Sequence, residues 1–565
     1  MSNLKNSKYL FPVTLLIVFL INVIQGSFTE LLPDEAYYWV YSRHINWGFF
    51  DHPPLVALWI TISNFLFVDE LGVRFFSAFS FALLTYLVWI TIDHPKKKEY
   101  TWLFLLIFFS TAMLNVYGFI TTPDTPLLLF FGLFLYAYKE YLKKQNILSY
   151  ILLSVSIAGM MYSKYQAILI VLFIILSNFK LLRDYKLWLA SLGALLLYLP
   201  HLDWQWANDF PSFRYHLQER VSNRTYKFEH TLMHFVNMIA ILGFTFPIIY
   251  KAFFKNIKTK DVFMRGLNFI IIGFLVFFFF SSFRGRVQAQ WIVPISIPLL
   301  LITFQFLTQR ERSRTWFIRL AVLNIAVMLV ARVLMSSVGS PYVSLNTHGN
   351  ERWALELQSK TKGRDKIFIN SYQNTSTYWY YAKERAYYMK NYLGRNNHFV
   401  MLQDKKDLST KKAAFVSRVR LDSTDFAIQI RGKDSIFTTT INNYKDLSHI
   451  KILILENEFI LKKNSLNTFK VEIENTFKKT INIDDFEVYI GFQKAKKKIK
   501  ESIKATLKID SKSIAHNEVL KGIIYFDTSK MPDSDMYPIL GIGISNSEKV
   551  DIIRVSKLHL YKLRD

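Results

Sequence analysis

The chain has 565 residues, 51% of them hydrophobic and 16% aromatic, with a formal net charge of +26 and no cysteine. The missing thiols exclude disulfides, thiolate catalysis and cysteine metal sites. The basic balance invites a nucleic-acid reading, yet no nucleic-acid motif accompanies it. Lysine-rich loops set against anionic lipid account for part of the charge, so DNA and RNA are not expected partners.

Apolar windows of bilayer-spanning length recur before about residue 340. They cover 9–25, 73–92, 101–120, 126–142, 147–162, 165–179, 187–200, 231–250, 266–283, 291–307 and 316–338, which makes eleven expected transmembrane helices. The first follows Lys5 and Lys8 as a signal peptide would. No small-residue cleavage site comes after it, the chain reading Val23-Ile24-Gln25-Gly26, so it is expected to remain as a span. A further apolar stretch, 54–68, is expected to lie in the interface or re-enter rather than cross. With that assignment the basic loops Lys96–Lys98, Lys143-Lys144, Lys180–Lys186, Lys251–Arg265 and Arg310–Arg319 all fall on one side. The positive-inside rule makes that side the cytoplasm, with the N-terminus there too, in an inner (cytoplasmic) membrane. Asp34, Glu35 and the Thr121–Asp124 loop then share the outer face.

After Ser340-Pro341 the composition changes and no later segment is apolar enough to span. Three domains are expected: a helical membrane domain over 1–340, a mixed α/β region over 341–447, and a β-rich, immunoglobulin-like sandwich over 448–565. The last rests on short alternating runs such as Lys451–Leu455, Phe469–Glu474, Phe486–Phe492, Gly522–Phe526 and Ile552–Tyr561, separated by turn residues. Charge parity places both tail regions outside the cytoplasm. Gly541-Ile542-Gly543 lies among strands with no helix following, so it does not read as a nucleotide loop.

The chemistry concentrates on the outer face. Ionisable groups held at a membrane are costly and therefore functional candidates. Asp34-Glu35 follow the first span, and Asp51-His52-Pro53-Pro54 follow them, the prolines stopping any helix from running through. Asp124 stands at the outer start of the fourth span, where a carboxylate is favoured at a helix N-terminus. Lys164, Arg284 and Arg286 supply positive charge. Tyr37, Trp204 and Trp291 are candidates for acceptor or lipid contact. Carboxylates beside cations suit a reaction that deprotonates an acceptor and holds a departing phosphate. Sugar transfer from a polyprenyl-phosphate carrier has both demands.

Asp34-Glu35-Ala36-Tyr37-Tyr38-Trp39, followed by Asp51-His52-Pro53-Pro54-Leu55, resembles the first outer loop of the dolichyl-phosphate-mannose–protein mannosyltransferase-like superfamily, to which the aminoarabinose–lipid A transferases are related. Gly72-Val73-Arg74, Thr122–Leu127, Ser163-Lys164-Tyr165 and, more faintly, Gly394–Asn397 agree with it. The resemblance covers roughly residues 9–400 and implies a C-type glycosyltransferase fold with interfacial helices in the first outer loop. It implies Asp34 as catalytic base, with Glu35 and Asp124 positioning the acceptor. Asp51 and His52 would line the donor-phosphate site with Lys164, Arg284 and Arg286. Many relatives of the aminoarabinose type carry a lysine in place of His52, which leaves the phosphate's countercharge to Lys164 or Arg284. Some relatives contain a divalent metal, though no ligand set in this sequence demands one.

The expected function is transfer of a sugar, with inversion, from a polyprenyl-phosphate-linked donor to an envelope lipid, glycan or protein acceptor, among membrane lipids. A lipid-linked oligosaccharide ligase or polymerase is the alternative. A transporter of lipid-linked sugars fits less well, because the charges gather at one face and no internal repeat is visible. A catalytically silent scaffold is a further reading.

Overall fold

The computed structural model describes all residues except 1–7, 220–225, 337–343, 391–393, 404–405, 421–423, 432–433, 447–448, 456–459, 463, 486, 494–498, 531–540, 546–561 and 565. The chain divides into two compact units, Met1–His348 and Gly349–Asp565.

The first unit is helical. Its elements are α1 (Leu10–Ser27), α2 (Pro33–Ser42), α3 (Leu55–Leu66), α4 (Asp69–Thr91), α5 (Thr101–Phe109), α6 (Ala112–Val116), α7 (Asp124–Lys143), α8 (Ile147–Ser163) and α9 (Ile168–Ser177). They continue with α10 (Tyr185–Ala207), α11 (Phe228–Ala240), α12 (Phe246–Asn256), α13 (Val262–Ser282), α14 (Ser296–Gln309) and α15 (Glu311–Met335). Every expected apolar window falls on a helix or a broken pair. By length and composition, however, only five described helices span alone: α1, α4, α13, Ala289–Gln309 and α15. A sixth arises if α11 and the Gly243–Asn256 segment count as one span bent by 92°. The molecule is thus an integral membrane protein whose other apolar helices are short, interrupted or, like α7, charged toward their ends.

The interruptions have physical causes. A backbone break inside a membrane leaves N–H and C=O groups that protein must satisfy. Asn324 of α15, 3% exposed, serves two breaks at once. Its Nδ2 donates to the Ser110 carbonyl (2.5 Å), where α5 ends, and to the Leu242 carbonyl (3.1 Å), while its Oδ1 accepts from Phe244 N–H (3.2 Å). α3 has 12 residues, about 18 Å of helix against a hydrocarbon core of about 30 Å. It is thus shorter than that core is thick.

α4 and α7 run side by side in the same direction. Ser77 bonds Thr121 (2.6 Å) near their starts; at their ends Lys139 donates to the Thr91 carbonyl (2.6 Å) and Lys143 pairs with Asp93 (2.8 Å). The remaining basic loops join that second end. Tyr141 donates to Asp184, Lys186 to Gln145 (2.9 Å), Thr308 meets His94 (3.3 Å), and Lys139 lies over the Phe263 ring (5.3 Å). Basic loops therefore collect at one end of the bundle and the acidic loops at the other.

The second unit contains α16 (Asn350–Lys360), β1 (Asp365–Ile369), α17 (Tyr372–Ala382), β2 (Ala386–Met389), α18 (His398–Gln403), β3 (Thr410–Ser417), β4 (Phe426–Arg431) and β5 (Asp434–Tyr444). These strands form one mixed sheet in the order β2-β1-β3-β5-β4, with β1 parallel to both its neighbours. Parallel neighbours need a crossover, which α17 supplies. Next come β6 (Ile450–Ile454), β7 (Ile460–Lys462), β8 (Leu466–Asn475), β9 (Ile481–Asn482), β10 (Glu487–Gln493), β11 (Ile499–Ile509), β12 (Ser513–Ile514), β13 (Val519–Asp527), β14 (Gly541–Ser545) and β15 (Lys562–Arg564). β14-β10-β11-β13-β8-β6 make an antiparallel sheet. Alternation buries Phe469, Val471 and Ile473 on one face of β8. β7–β15 and β9–β12 form two-stranded ladders of three and two residue pairs. Among the described residues this is one full sheet, so the second layer of a sandwich is not seen. Ser340-Pro341 and the run Ile552–Tyr561 lie outside the described residues.

Candidate active site

α2 begins at Pro33, which suits a first helical position because its missing N–H would be unpaired there anyway. Glu35, two residues on, accepts from the Leu32 N–H (2.9 Å) and so caps its own helix. The same carboxylate is 0% exposed and takes both arms of Arg74, Nε at 2.8 Å and Nη2 at 2.5 Å. Its Oε1 also accepts from the Thr121 N–H (2.8 Å). Arg74, 1% exposed, spends its other protons on the carbonyls of Gly26 (3.0 Å), Thr29 and Glu30 (3.0 Å). One buried ion pair thus joins α1, α2, α4 and the loop that leads to Asp124. Asp34, next to Glu35 in sequence, points the other way and is exposed.

Asp124 opens α7 and is buried. Lys164, between α8 and α9, reaches it with Nζ–Oδ1 at 2.7 Å. An ammonium carries three donors, and this bond uses one.

Tyr165 follows Lys164. Its hydroxyl accepts from Gln205 Nε2 (2.9 Å) and meets His201 Nε2 (3.2 Å). Gln205 also donates to Ser212 (2.8 Å), which donates to the Phe49 carbonyl (2.9 Å), and His201 Nδ1 meets the Trp47 carbonyl (2.7 Å). This buried chain ties the outer loop that carries Asp51 to the segment that carries Lys164. His216 Nε2 completes it at the Asp51 carbonyl (2.9 Å). The Asp51 side chain turns inward, where the Tyr41 hydroxyl donates to it. Burial and the Asp51 charge push the Tyr41 hydroxyl well above its ordinary pKa, which keeps the donor protonated. His52 is half-buried with its ring edge-on to Tyr38 (5.6 Å).

Arg284 and Arg286 lie in the turn between α13 and Ala289, both exposed, and neither forms an ion pair among the described residues. Gln166 Nε2 reaches the Trp291 carbonyl (3.4 Å), which brings that segment beside Lys164. The structure therefore gathers Glu35, Asp124 and Lys164, and through Tyr165 the Asp51–His52 loop, at one end of the bundle. Some expectations change. Asp51 is committed to Tyr41 and does not face outward as a phosphate ligand would. Tyr37 and Trp204 are buried: Tyr37 packs on Tyr41 (4.8 Å), and Trp204 fills the space a side chain at Gly48 would need. Neither offers a surface to lipid, whereas Trp206 is exposed. Trp291 is half-buried against Phe278 (5.8 Å).

Arg74, Tyr41, Tyr165, His201, Gln205 and His216 were not among the residues expected at the site. An arginine five residues into an apolar span is itself a signal and would have singled out Arg74. Tyr165 was marked only through the Ser163-Lys164-Tyr165 resemblance, and nothing in the sequence marks the others. Among the described residues no group of three or more His, Asp or Glu side chains is arranged to hold a metal ion.

A bundle of apolar helices followed by a β-rich unit is a fold with counterparts among solved structures. Two crystal structures of ArnT from Cupriavidus metallidurans share it. The apo form matches with a TM-score of 0.56 at 13% identity, covering 76% of this chain and 97% of that one. The form bound to undecaprenyl phosphate matches with a TM-score of 0.57 at 14% identity, covering 76% and 98%. Residues 51–204 match the model of the dolichyl-phosphate-mannose-protein mannosyltransferase family. The chain thus carries a segment similar to that family within a fold similar to that of ArnT. No curated protein matches it in sequence.

Proposed function

We propose that the protein is a membrane glycosyltransferase that moves a sugar from a polyprenyl-phosphate carrier to an acceptor at the acidic end of the bundle. Asp34 is the general base. It removes the acceptor's proton as that atom attacks the anomeric carbon from the face opposite the phosphate. The carbon–oxygen bond to the carrier breaks, the configuration inverts, and the carrier leaves as its phosphate. Lys164, held in place by Asp124, directs its remaining donors at the leaving phosphate, with His52, Arg284 and Arg286 as further contacts. Glu35 acts by fixing α2, and Asp51 by fixing its loop through Tyr41. The ArnT neighbour holding undecaprenyl phosphate supports a lipid-phosphate donor.

The observation that carries this reading is the Glu35–Thr121 hydrogen bond (2.8 Å), which joins the loop bearing Asp34 to the loop bearing Asp124. The basic end is assigned to the cytoplasm and the acidic end, with the β-rich tail, to the outer side.

Asp34→Asn keeps the shape and removes the base. With purified protein, a lipid-linked donor and an envelope extract, transfer should fall by at least about a hundredfold while melting in detergent stays unchanged. Activity near wild type refutes the assignment. Supplying monophosphate and diphosphate carriers side by side separates this reading from the ligase.

A further inference from the structure

Three cations of the first unit are buried among the described residues: Arg74, Lys164 and Arg332. Arg74 is neutralised by Glu35 and Lys164 by Asp124. Arg332 has no carboxylate partner among the described residues. Its Nη2 donates to Asn22 Oδ1 (2.7 Å) and the Asn115 carbonyl (3.1 Å), and its guanidinium stacks on Phe119 at 4.5 Å. Those two bonds use both protons of Nη2. The three N–H of Nε and Nη1 have no protein acceptor among the described residues. A charge removed from water without a counterion is costly, so a retained one points to a countercharge supplied from outside the chain.

The surroundings say which. Arg332 sits one turn before the end of α15, a helix of 25 residues. That places it about 5 Å from the helix end. It is at the acidic end: Gln25 of α1 donates to the Arg332 carbonyl (3.1 Å), one residue from the Gly26 carbonyl that holds Arg74. α1 and α15 are also the least enclosed of the spanning helices, with 11% and 22% of their spanning windows buried. Ile21 and Ile24 on α1, and Val330 and Val333 on α15, are exposed apolar residues beside the arginine. The seam therefore offers acyl-chain contacts with a fixed cation near the helix end.

We propose that the α1–α15 seam binds an anionic membrane lipid, its headgroup phosphate accepting hydrogen bonds from Nε and Nη1 of Arg332. A planar guanidinium suits a phosphate because it presents parallel donors. The site is independent of the transfer chemistry and stands or falls separately from it.

The test places a photoreactive diazirine side chain at Val333 in the full chain, in nanodiscs of mixed phosphatidylglycerol and phosphatidylcholine. Crosslinks should favour phosphatidylglycerol severalfold over its share of the bilayer. Arg332→Gln should remove the preference, and Arg332→Lys, which keeps the charge, should retain part of it. Inorganic phosphate should not displace the lipid. Crosslinks in proportion to bilayer composition overturn the proposal, and this readout needs no arginine variant to fold. A preference that survives in folded Arg332→Gln overturns it equally, as does loss of the preference to phosphate alone, which would mark an ion site open to water.

Discussion

Asp34 and Glu35 are neighbours in the chain with opposite surroundings: one carboxylate meets solvent, and the other has four donors and none. Removing one member of a buried ion pair leaves an uncompensated charge. Arg74→Met should therefore destabilise the protein by about 3–5 kcal/mol, read as a lower melting temperature in detergent. Pairing it with Glu35→Gln should recover part of the loss. A second pair tests pH. Glu384 is drawn up by burial, but Lys366 (2.7 Å) and the Tyr378 hydroxyl (2.6 Å) outweigh this and hold its pKa below the usual carboxylate value. A depressed carboxylate stabilises the fold above its unfolded pKa of about 4.3 and loses that contribution as pH falls through the folded value. Hydrogen exchange across β1 and α17 of the full chain should accelerate below about pH 4, and Glu384→Gln should show faster exchange already at neutral pH. At this scale the acids and Lys164 were legible, and the partner of Glu35 was not. Asp34 and Asp124 announce themselves beside prolines at the ends of apolar runs. Arg74, 39 positions from Glu35, becomes its partner only through packing.

At the scale of elements, composition located every apolar helix but missed their interruptions. A window average is blind to a break that another helix repairs. Asn324 is that repair, and its three backbone partners lie 80 or more residues away in the chain. Asn324→Ala strands the Ser110 carbonyl and the Phe244 N–H, while the Leu242 carbonyl keeps the Thr245 hydroxyl (2.8 Å). Each buried unsatisfied group costs about 1–3 kcal/mol, so the variant should lose several kcal/mol and unfold early in a detergent melt. Asn324→Gln, one methylene longer, should not rescue it, because the Gly243 turn lies directly against the side chain. Gly243 itself has φ +64°, a left-handed conformation that suits glycine. In the tail the alternating runs were readable as strands, but pairing order was not, since β8 pairs with both β6 and β13 through register that no local pattern encodes.

For the whole molecule the sidedness of the charge was the most legible property. Counting lysines and arginines placed the basic loops together, and the packing of Lys139, Lys143, Asp184 and His94 brings them to one end. Because the chain has no cysteine, single thiols report sidedness without background. Asp34→Cys and Thr122→Cys should label from one side of sealed vesicles with a membrane-impermeant reagent, and Lys98→Cys from the other. Labelling of positions 34 and 122 from opposite sides would contradict the bundle.

The brace around Glu35 has a consequence for how substrates arrive. Since a single side chain clamps the start of α2 to the approach to α7, Asp34 and Asp124 shift as one rigid wall. In the proposed reaction, room for a sugar is most readily made at the Asp51 loop: apart from the Tyr41–Asp51 bond to α2, it is held through His201, Ser212 and His216 at backbone carbonyls, contacts that cost less to part than a buried ion pair.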